Sequence, residues 1–332
     1  MKNLTLGSNF TETNMKSPRN KTIDFPIEQA EKYLQLCASE KTYDGSINQI
    51  VTGDAFSGLK KIADKSVDLL IVDPPYNLAK NFHGLNFKAQ SQEEYAKYTL
   101  KWLDACMPKL KDNASVYVCC DWKSSLVIGE ILSSRLILRN RITWQREKGR
   151  GAKNNWKNSM EDVFFATVSD DYKFNLDAVK VRRRVLAPYK ADGKPKDWES
   201  TTEGKFRNTC PSNFWDDISV PYWSMAENTA HPTQKPEKLI AKLILASSEE
   251  GDVVLDPFAG SGTTAVVAEK LKRNYICLER NPLYCAWAQK RLENAKQDNS
   301  IQGYEGGVFW EKNTTIEQRQ HQEKCSKQYK KA

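Results

Sequence analysis

The sequence predicts a doubly wound α/β domain: a mostly parallel sheet covered by helices on both faces and interrupted by a long inserted region. From Asn48 onward, short β-branched runs alternate with helical periods, the pattern of strands buried on both sides of a parallel sheet. Near the other end, "VVLDPFAGSGTT" joins a β-branched strand to a helix through a glycine turn. Between them, from about Glu147 to Thr229, the alternation gives way to Lys, Arg, Trp, Asn and Gly.

Residues 1–46 are polar and irregular except for a helix-like "IEQAEKYLQLCAS", and they close on the turn signal "YDGS", so they read as a peripheral arm. Residues 47–146 then run strand "NQIVTGD", helix "AFSGLKKIA", strand "SVDLLIVDPPY", helix "QEEYAKYTLKWLDACMPKL", strand "ASVYVCC", a helix from Lys123 to Ser133, and strand "RNRITWQ". Residues 147–229 form the insertion, expected to lie outside the sheet core; its tryptophans, with Trp144, are expected to pack: Trp156, Trp198, Trp215 and Trp223. In residues 230–296 Pro236 opens a helix whose Leu239, Ile240, Leu243 and Ile244 share a face. A strand, the glycine turn, a helix and the strand "NYICLE" follow. Residues 297–332 are charged and expected to be partly disordered.

The 332 residues carry a net charge of +8, with the basic residues clustered, which favours an acidic polymer as partner. The start has no continuous apolar core, and the most apolar helix, "KLIAKLILA", is too short and lysine-broken to span a bilayer; a soluble cytoplasmic protein is expected. Eight cysteines without a Cys-x-x-Cys pair and three scattered histidines give neither zinc-cluster nor disulfide spacing. Cys119 and Cys120 read as buried strand residues.

In the glycine turn, Gly260 and Gly262 leave the backbone open to a ligand at a helix N-terminus, which favours negative charge. A tight connection alone would explain them equally well, and the third glycine of the dinucleotide fingerprint is missing. Glu279 shifts the balance: it ends the next strand about 20 residues on, where an acidic residue accepts hydrogen bonds from ribose hydroxyls. A ribose-bearing ligand without a pyrophosphate is indicated, and S-adenosylmethionine fits.

Asp73 follows an apolar strand and precedes two prolines, whose φ is fixed and which carry no N–H. The corner is stiff and rich in acceptors. An exocyclic amine on a nucleobase is a poor nucleophile because its lone pair is delocalised into the ring. Hydrogen bonds from the amine to the Asp73 carboxylate and the Pro74 carbonyl would localise that pair and aim it at a methyl sulfonium. The base must first leave the duplex, and Tyr76 is suited to stack on it.

Together "DPPYN", "DPFAGSG" and "HPTQKP" resemble the amino-methylating DNA methyltransferases, in the motif order of the permuted β class, over most of Asn48 to Leu292. The resemblance implies a Rossmann-like, seven-stranded sheet, S-adenosylmethionine as cofactor and duplex DNA as partner. Asp73, Pro74 and Tyr76 match the catalytic motif; Asp256, Phe258, Ala259, Gly260, Ser261 and Gly262 match the cofactor loop, and Glu279 its ribose-holding acid. Asp54 matches a position near the cofactor's adenine, a place where it also suits a helix cap. His231, Thr233 and Lys235 match the segment lining the methionine end, with Lys235 as partner for the cofactor's carboxylate. The insertion takes the place of a target-recognition region, where Arg182, Arg183, Arg184, Lys190, Lys194 and Lys196 are candidates for phosphate contacts.

The Asp-initiated motif leans toward adenine N6; N4 of cytosine poses the same chemical problem and stays open. RNA adenosine and a silent binding homologue are weaker alternatives. A carbon-directed cytosine enzyme would need a Pro-Cys nucleophile, and the chain has no such dipeptide. The resemblance leaves room for a homodimer and for a cognate restriction endonuclease encoded elsewhere.

Overall fold

In the computed structural model, residues 17–78, 80–82, 85–146, 153–185, 190–195, 197–201, 204–314 and 318 are described. Among these the main sheet has nine strands. Their order is Ala38–Ser39, Gln49–Thr52, Asn274–Glu279, Val253–Asp256, Val67–Val72, Leu110–Cys120, Met160–Thr167, Ile137–Gln145 and Phe214–Trp215. Every pairing is parallel except the two made by Met160–Thr167. Seven strands form the body, and two-residue strands extend each edge.

Strand pleating sends successive side chains to opposite faces, and the central strand Val67–Val72, buried throughout, shows the result. Leu69 and Ile71 join one core, with the helices Glu237–Ser247, Thr263–Lys270 and Pro282–Gln297. Leu70 and Val72 join the other, with Ala55–Leu59, Gln92–Cys106 and Ser124–Arg135. The helices that follow Val253–Asp256 and Val67–Val72 therefore leave toward opposite faces. A crevice opens between the carboxyl ends of those neighbouring strands, the topological switch point where open α/β sheets bind ligands. Asp256 ends one strand and Asp73 follows the other.

Three boundaries differ from the sequence expectation. The insertion contributes Met160–Thr167 to the centre of the sheet, with all but its first residue buried, so 147–229 is not wholly outside the core. A five-stranded sheet joins Val181–Arg184, Gly204–Thr209 and Glu199–Thr201 from the insertion to Tyr304–Glu305 and Val308–Trp310 from the tail. The tail is thus ordered to Trp310, because Phe309 and Trp310 are fully buried and burial of two aromatic rings offsets the entropy of fixing the segment. The arm also joins the fold: Ala38–Ser39 is an edge strand, and Ala30 and Tyr33 pack with Ala286.

The helix Glu237–Ser247 is buried on every side, including Lys238 and Lys242. Both ammonium groups reach Asp217, Lys242 at 2.8 and 2.9 Å and Lys238 at 2.7 Å. Lys238 also donates to the Trp310 carbonyl. Among the described residues no helix is long and apolar enough to cross a membrane.

Candidate active site

The crevice is a cleft of about 290 Å³, and it gathers residues from six stretches of chain. On one side, the Val253–Asp256 strand runs into the glycine turn. Asp256 accepts from the Phe258 N–H at 3.0 Å and the Thr264 hydroxyl at 2.6 Å, so its carboxylate braces the turn. Burial pushes its pKa up to about 7, against the pull of those donors. Gly260 and Gly262 both have positive φ, at 53° and 76°. A side chain at Gly262 would put its Cβ 2.4 Å from that of Ala288, and one at Gly260 would meet the His231 ring at 3.0 Å.

Glu279 ends the adjoining strand. Its carboxylate accepts from the Gly260 N–H at 2.8 Å and the Asn281 N–H at 2.7 Å, and burial outweighs both to raise its pKa to about 7. The Ser261 hydroxyl lies buried in the cleft wall with no partner among the described residues. Phe258 packs edge-on to Trp102 beneath the turn, and Ala259 completes the wall. Across the cleft Asp54 caps Ala55–Leu59 through the Ser57 N–H at 3.0 Å. His231 stands edge-on to Tyr284 at 4.4 Å, its Nδ1 accepting from the Thr233 N–H at 3.3 Å. All the residues expected to hold the cofactor line this cleft except Gly262, which sits behind it shaping the turn.

The Asp73 corner forms the far wall. The Tyr76 hydroxyl donates to Asp73 Oδ1 at 2.9 Å, and the Tyr95 hydroxyl holds the Pro75 carbonyl at 3.3 Å. Among the described residues no donor reaches the Pro74 carbonyl. Lys235 departs from expectation: its Nζ donates to both Asp73 oxygens at 2.7 Å and to the Tyr76 hydroxyl at 3.1 Å, and only 6% of its side chain is exposed. Its charge is already engaged by Asp73, so it is not a free partner for the cofactor's carboxylate. Burial alone would depress its pKa, but Asp73 and Glu161 more than reverse this and hold it above the usual lysine value.

Glu161 is the residue that sequence reasoning missed. It stands 3.4 Å from Lys235 Nζ and accepts from the Tyr76 hydroxyl at 3.3 Å. No local sequence signal marks it: it stands one residue into a strand whose antiparallel direction, set by the fold, brings that end to the carboxyl edge of the sheet.

The basic candidates separate. Arg182 is buried, paired with Glu199, bonded to Asn208 at 3.2 Å and packed against the rings of Phe206 and Trp310. That excludes it as a phosphate contact, since its charge is spent inside the fold. Arg183 is partly exposed and loosely paired with Asp216 and Glu311 at 3.8 Å each. Arg184, Lys190 and Lys194 are exposed; Lys196 lies outside the described residues. Among the tryptophans, Trp144 and Trp215 are buried, but Trp156 is 93% and Trp223 51% exposed, so those two do not pack as expected.

Residues 67–290 match the family model described as DNA methylase, of the N6/N4 methyltransferase class. The type II methyltransferase M.HpaI of Haemophilus parainfluenzae is 33% identical over 253 residues, covering 74% of each chain. The DNA adenine methyltransferase YhdJ of Escherichia coli K12 is 36% identical over 254 residues, 74% of this chain and 83% of its own. The structure of the cytosine-N4-specific PvuII DNA methyltransferase aligns with a TM-score of 0.56 at 20% identity, over 75% of this chain and 87% of that one, which shows a shared fold. With its strand order, its two-sided cleft and these relatives, the chain belongs to the amino-methylating DNA methyltransferases, the N6/N4 family.

Proposed function

We propose that this protein transfers a methyl group from S-adenosylmethionine to the N6 amine of an adenine flipped out of duplex DNA. The observation that carries the reading is the Asp73 corner, a carboxylate braced by Tyr76 in the same cleft as the glycine turn and Glu279.

The cleft's own residues fit the cofactor. Glu279 has lone pairs left for ribose hydroxyls after accepting two backbone N–H groups, Ser261 offers an unpartnered hydroxyl, and the bare backbone at Gly260 leaves room beside His231. Asp54 and Phe258 suit the adenine end, and His231 with Thr233 the methionine end. When bound, S-adenosylmethionine supplies an electrophilic methyl group on a sulfonium.

The protein's part is to prepare the amine. Asp73 and the Pro74 carbonyl accept its two N–H groups, which draws the lone pair out of the ring and fixes its direction. The Tyr76 ring stacks on the flipped base, its hydroxyl tied to Asp73 so that ring and acceptor keep one geometry. Transfer is direct, with no covalent enzyme intermediate: the nitrogen–carbon bond forms as the methyl–sulfur bond breaks, and the methylated amine then loses its surplus proton to solvent. Adenine is favoured by the Asp-initiated motif and by the 36% identical relative named as an adenine methyltransferase. Arg184, Lys190 and Lys194, with Arg183, are the insertion's candidates for phosphate contact.

Mass spectrometry of nucleosides from unmethylated DNA, incubated with the protein and isotopically labelled S-adenosylmethionine, tests this. Label in N6-methyladenine is the expected result. Label in N4-methylcytosine would keep the mechanism and overturn the base; no label in DNA would overturn the reading.

A further inference from the structure

The reaction proposed above uses Asp73, Pro74 and Tyr76, yet two more charged side chains are buried against them. Glu161 is 5% exposed, and Lys235 6%. Taking either charge out of water costs several kcal/mol unless it is paired, and a simple ion pair would need one of each. Here Lys235 meets two carboxylates, and the Arg146 guanidinium pairs with the far oxygen of Glu161. Asp73, Glu161, Lys235 and Arg146 together sum to zero charge. The Lys235 ammonium has three N–H groups facing three neighbours, Asp73, Tyr76 and Glu161.

We propose that Glu161 and Lys235 are positioning residues for methyl transfer, a charge-balanced clamp that keeps Asp73 ionised and holds it, with the Tyr76 hydroxyl, aimed at the target amine. The inference rests on the function proposed above.

The clamp follows from what Asp73 must do. To accept an amine N–H its carboxylate must stay ionised in a cleft that loses water when the base enters, and Lys235 at 2.7 Å secures that. Lys235 donates to both Asp73 oxygens, which taken alone would weaken their pull on the amine; Glu161, 3.4 Å from the same ammonium, draws on its charge and moderates this. The Glu161 Oε2 is also an alternative acceptor, at 3.3 Å, for the one phenolic proton that Tyr76 gives Asp73 at 2.9 Å, while Lys235 donates to the same hydroxyl at 3.1 Å.

The other ionisable groups facing the cluster are Cys119 and Cys120 on the neighbouring strand, Asp162 beside Glu161 with Arg141 3.8 Å from it, His231, which shares pocket walls with Glu161 and Lys235, and Asp256 across the cleft. Burial pushes both thiols well above their ordinary range, which leaves them neutral. The thiols and carboxylates among these supply no cation to replace Lys235, and Arg141 faces Asp162 instead. In Lys235→Met, two facing carboxylates are left with one cation between them, and one of the two takes up a proton. In Glu161→Gln, Lys235 leans on Asp73 alone. The double variant removes one charge of each sign and restores the balance.

The test is the pH dependence of single-turnover methylation by the wild-type chain and the three variants, from about pH 5 to about pH 9, with cofactor affinity measured by calorimetry to verify folding. Lys235→Met is expected to lose ~100-fold in rate near neutrality and to move the acid limb up by about one unit or more. Adding Glu161→Gln to it is expected to move the limb back and recover ~10-fold of the rate, which a residue that only supports the fold would not do. A wild-type chain active on adenine, with the Lys235→Met limb unmoved and no recovery in the double variant, would overturn the clamp alone. A wild-type chain inactive on DNA at every pH would overturn the proposed function and the clamp with it.

Discussion

Glu279 and Asp256 are carboxyl groups pushed to about 7 by burial, and the direction of that shift has opposite consequences for two measurements. Each group binds a proton more tightly in the folded chain than in the unfolded one. Its stabilising contribution to the cofactor-free protein is full below the ordinary carboxylate range and is lost as pH rises through about 7. Cofactor affinity runs the other way, because Glu279 must be ionised to accept ribose hydroxyls. Calorimetry should show S-adenosylmethionine binding weakened several-fold between about pH 8 and about pH 6, and Glu279→Gln should bind weakly at both. A pH-independent affinity would remove Glu279 from that role. Tryptophan burial gives a second contrast at this scale. Trp144→Ala should cost ~3–5 kcal/mol in denaturant unfolding, and Trp156→Ala less than ~0.5, since one ring is in the core and the other in water. Asp73, Gly260 and Glu279 were legible because each marks a strand end or turn in its own short stretch. Glu161 and Arg182 were not: the role of one depends on strand direction, and the burial of the other on Glu199, Phe206 and Trp310, which arrive from elsewhere in the chain.

Among the elements, the helix Glu237–Ser247 ties the two sheets together. Its lysines hold Asp217 of the insertion and the Trp310 carbonyl of the tail from one buried surface. Burial would raise the Asp217 pKa, but Lys242 and Lys238 overcome it and hold the group at about 2. A depressed carboxylate contributes stability above its unfolded pKa and loses it as pH falls, here from the ordinary aspartate range down to about 2. Asp217→Ala strands two ammonium groups in the core and should cost ~3–5 kcal/mol in denaturant unfolding; a cost below ~1 would show that water reaches the cluster. The alternation of strands and helices was readable wherever apolar runs were long. It failed at "MEDVFFAT", hidden behind a basic run, and at "GGVFW", hidden in a charged tail, because a strand that borrows its burial from distant partners leaves little periodic signal.

For the whole molecule, the sheet order brings two strand ends together at the switch point, one carrying the cofactor turn and the other the Asp73 corner. They are 183 residues apart between Asp73 and Asp256, and the fold makes them opposite walls of one cleft. The relation between these walls is the core of the proposed chemistry. It is tested most directly by Asp73→Ala in single-turnover methylation with labelled S-adenosylmethionine, alongside DNA binding by anisotropy and cofactor binding by calorimetry. The prediction is a loss of ~1000-fold or more in transfer with both binding steps kept within several-fold of wild type. Methylation within ~10-fold of wild type would contradict it, and would mean that the amine is prepared by some group other than Asp73.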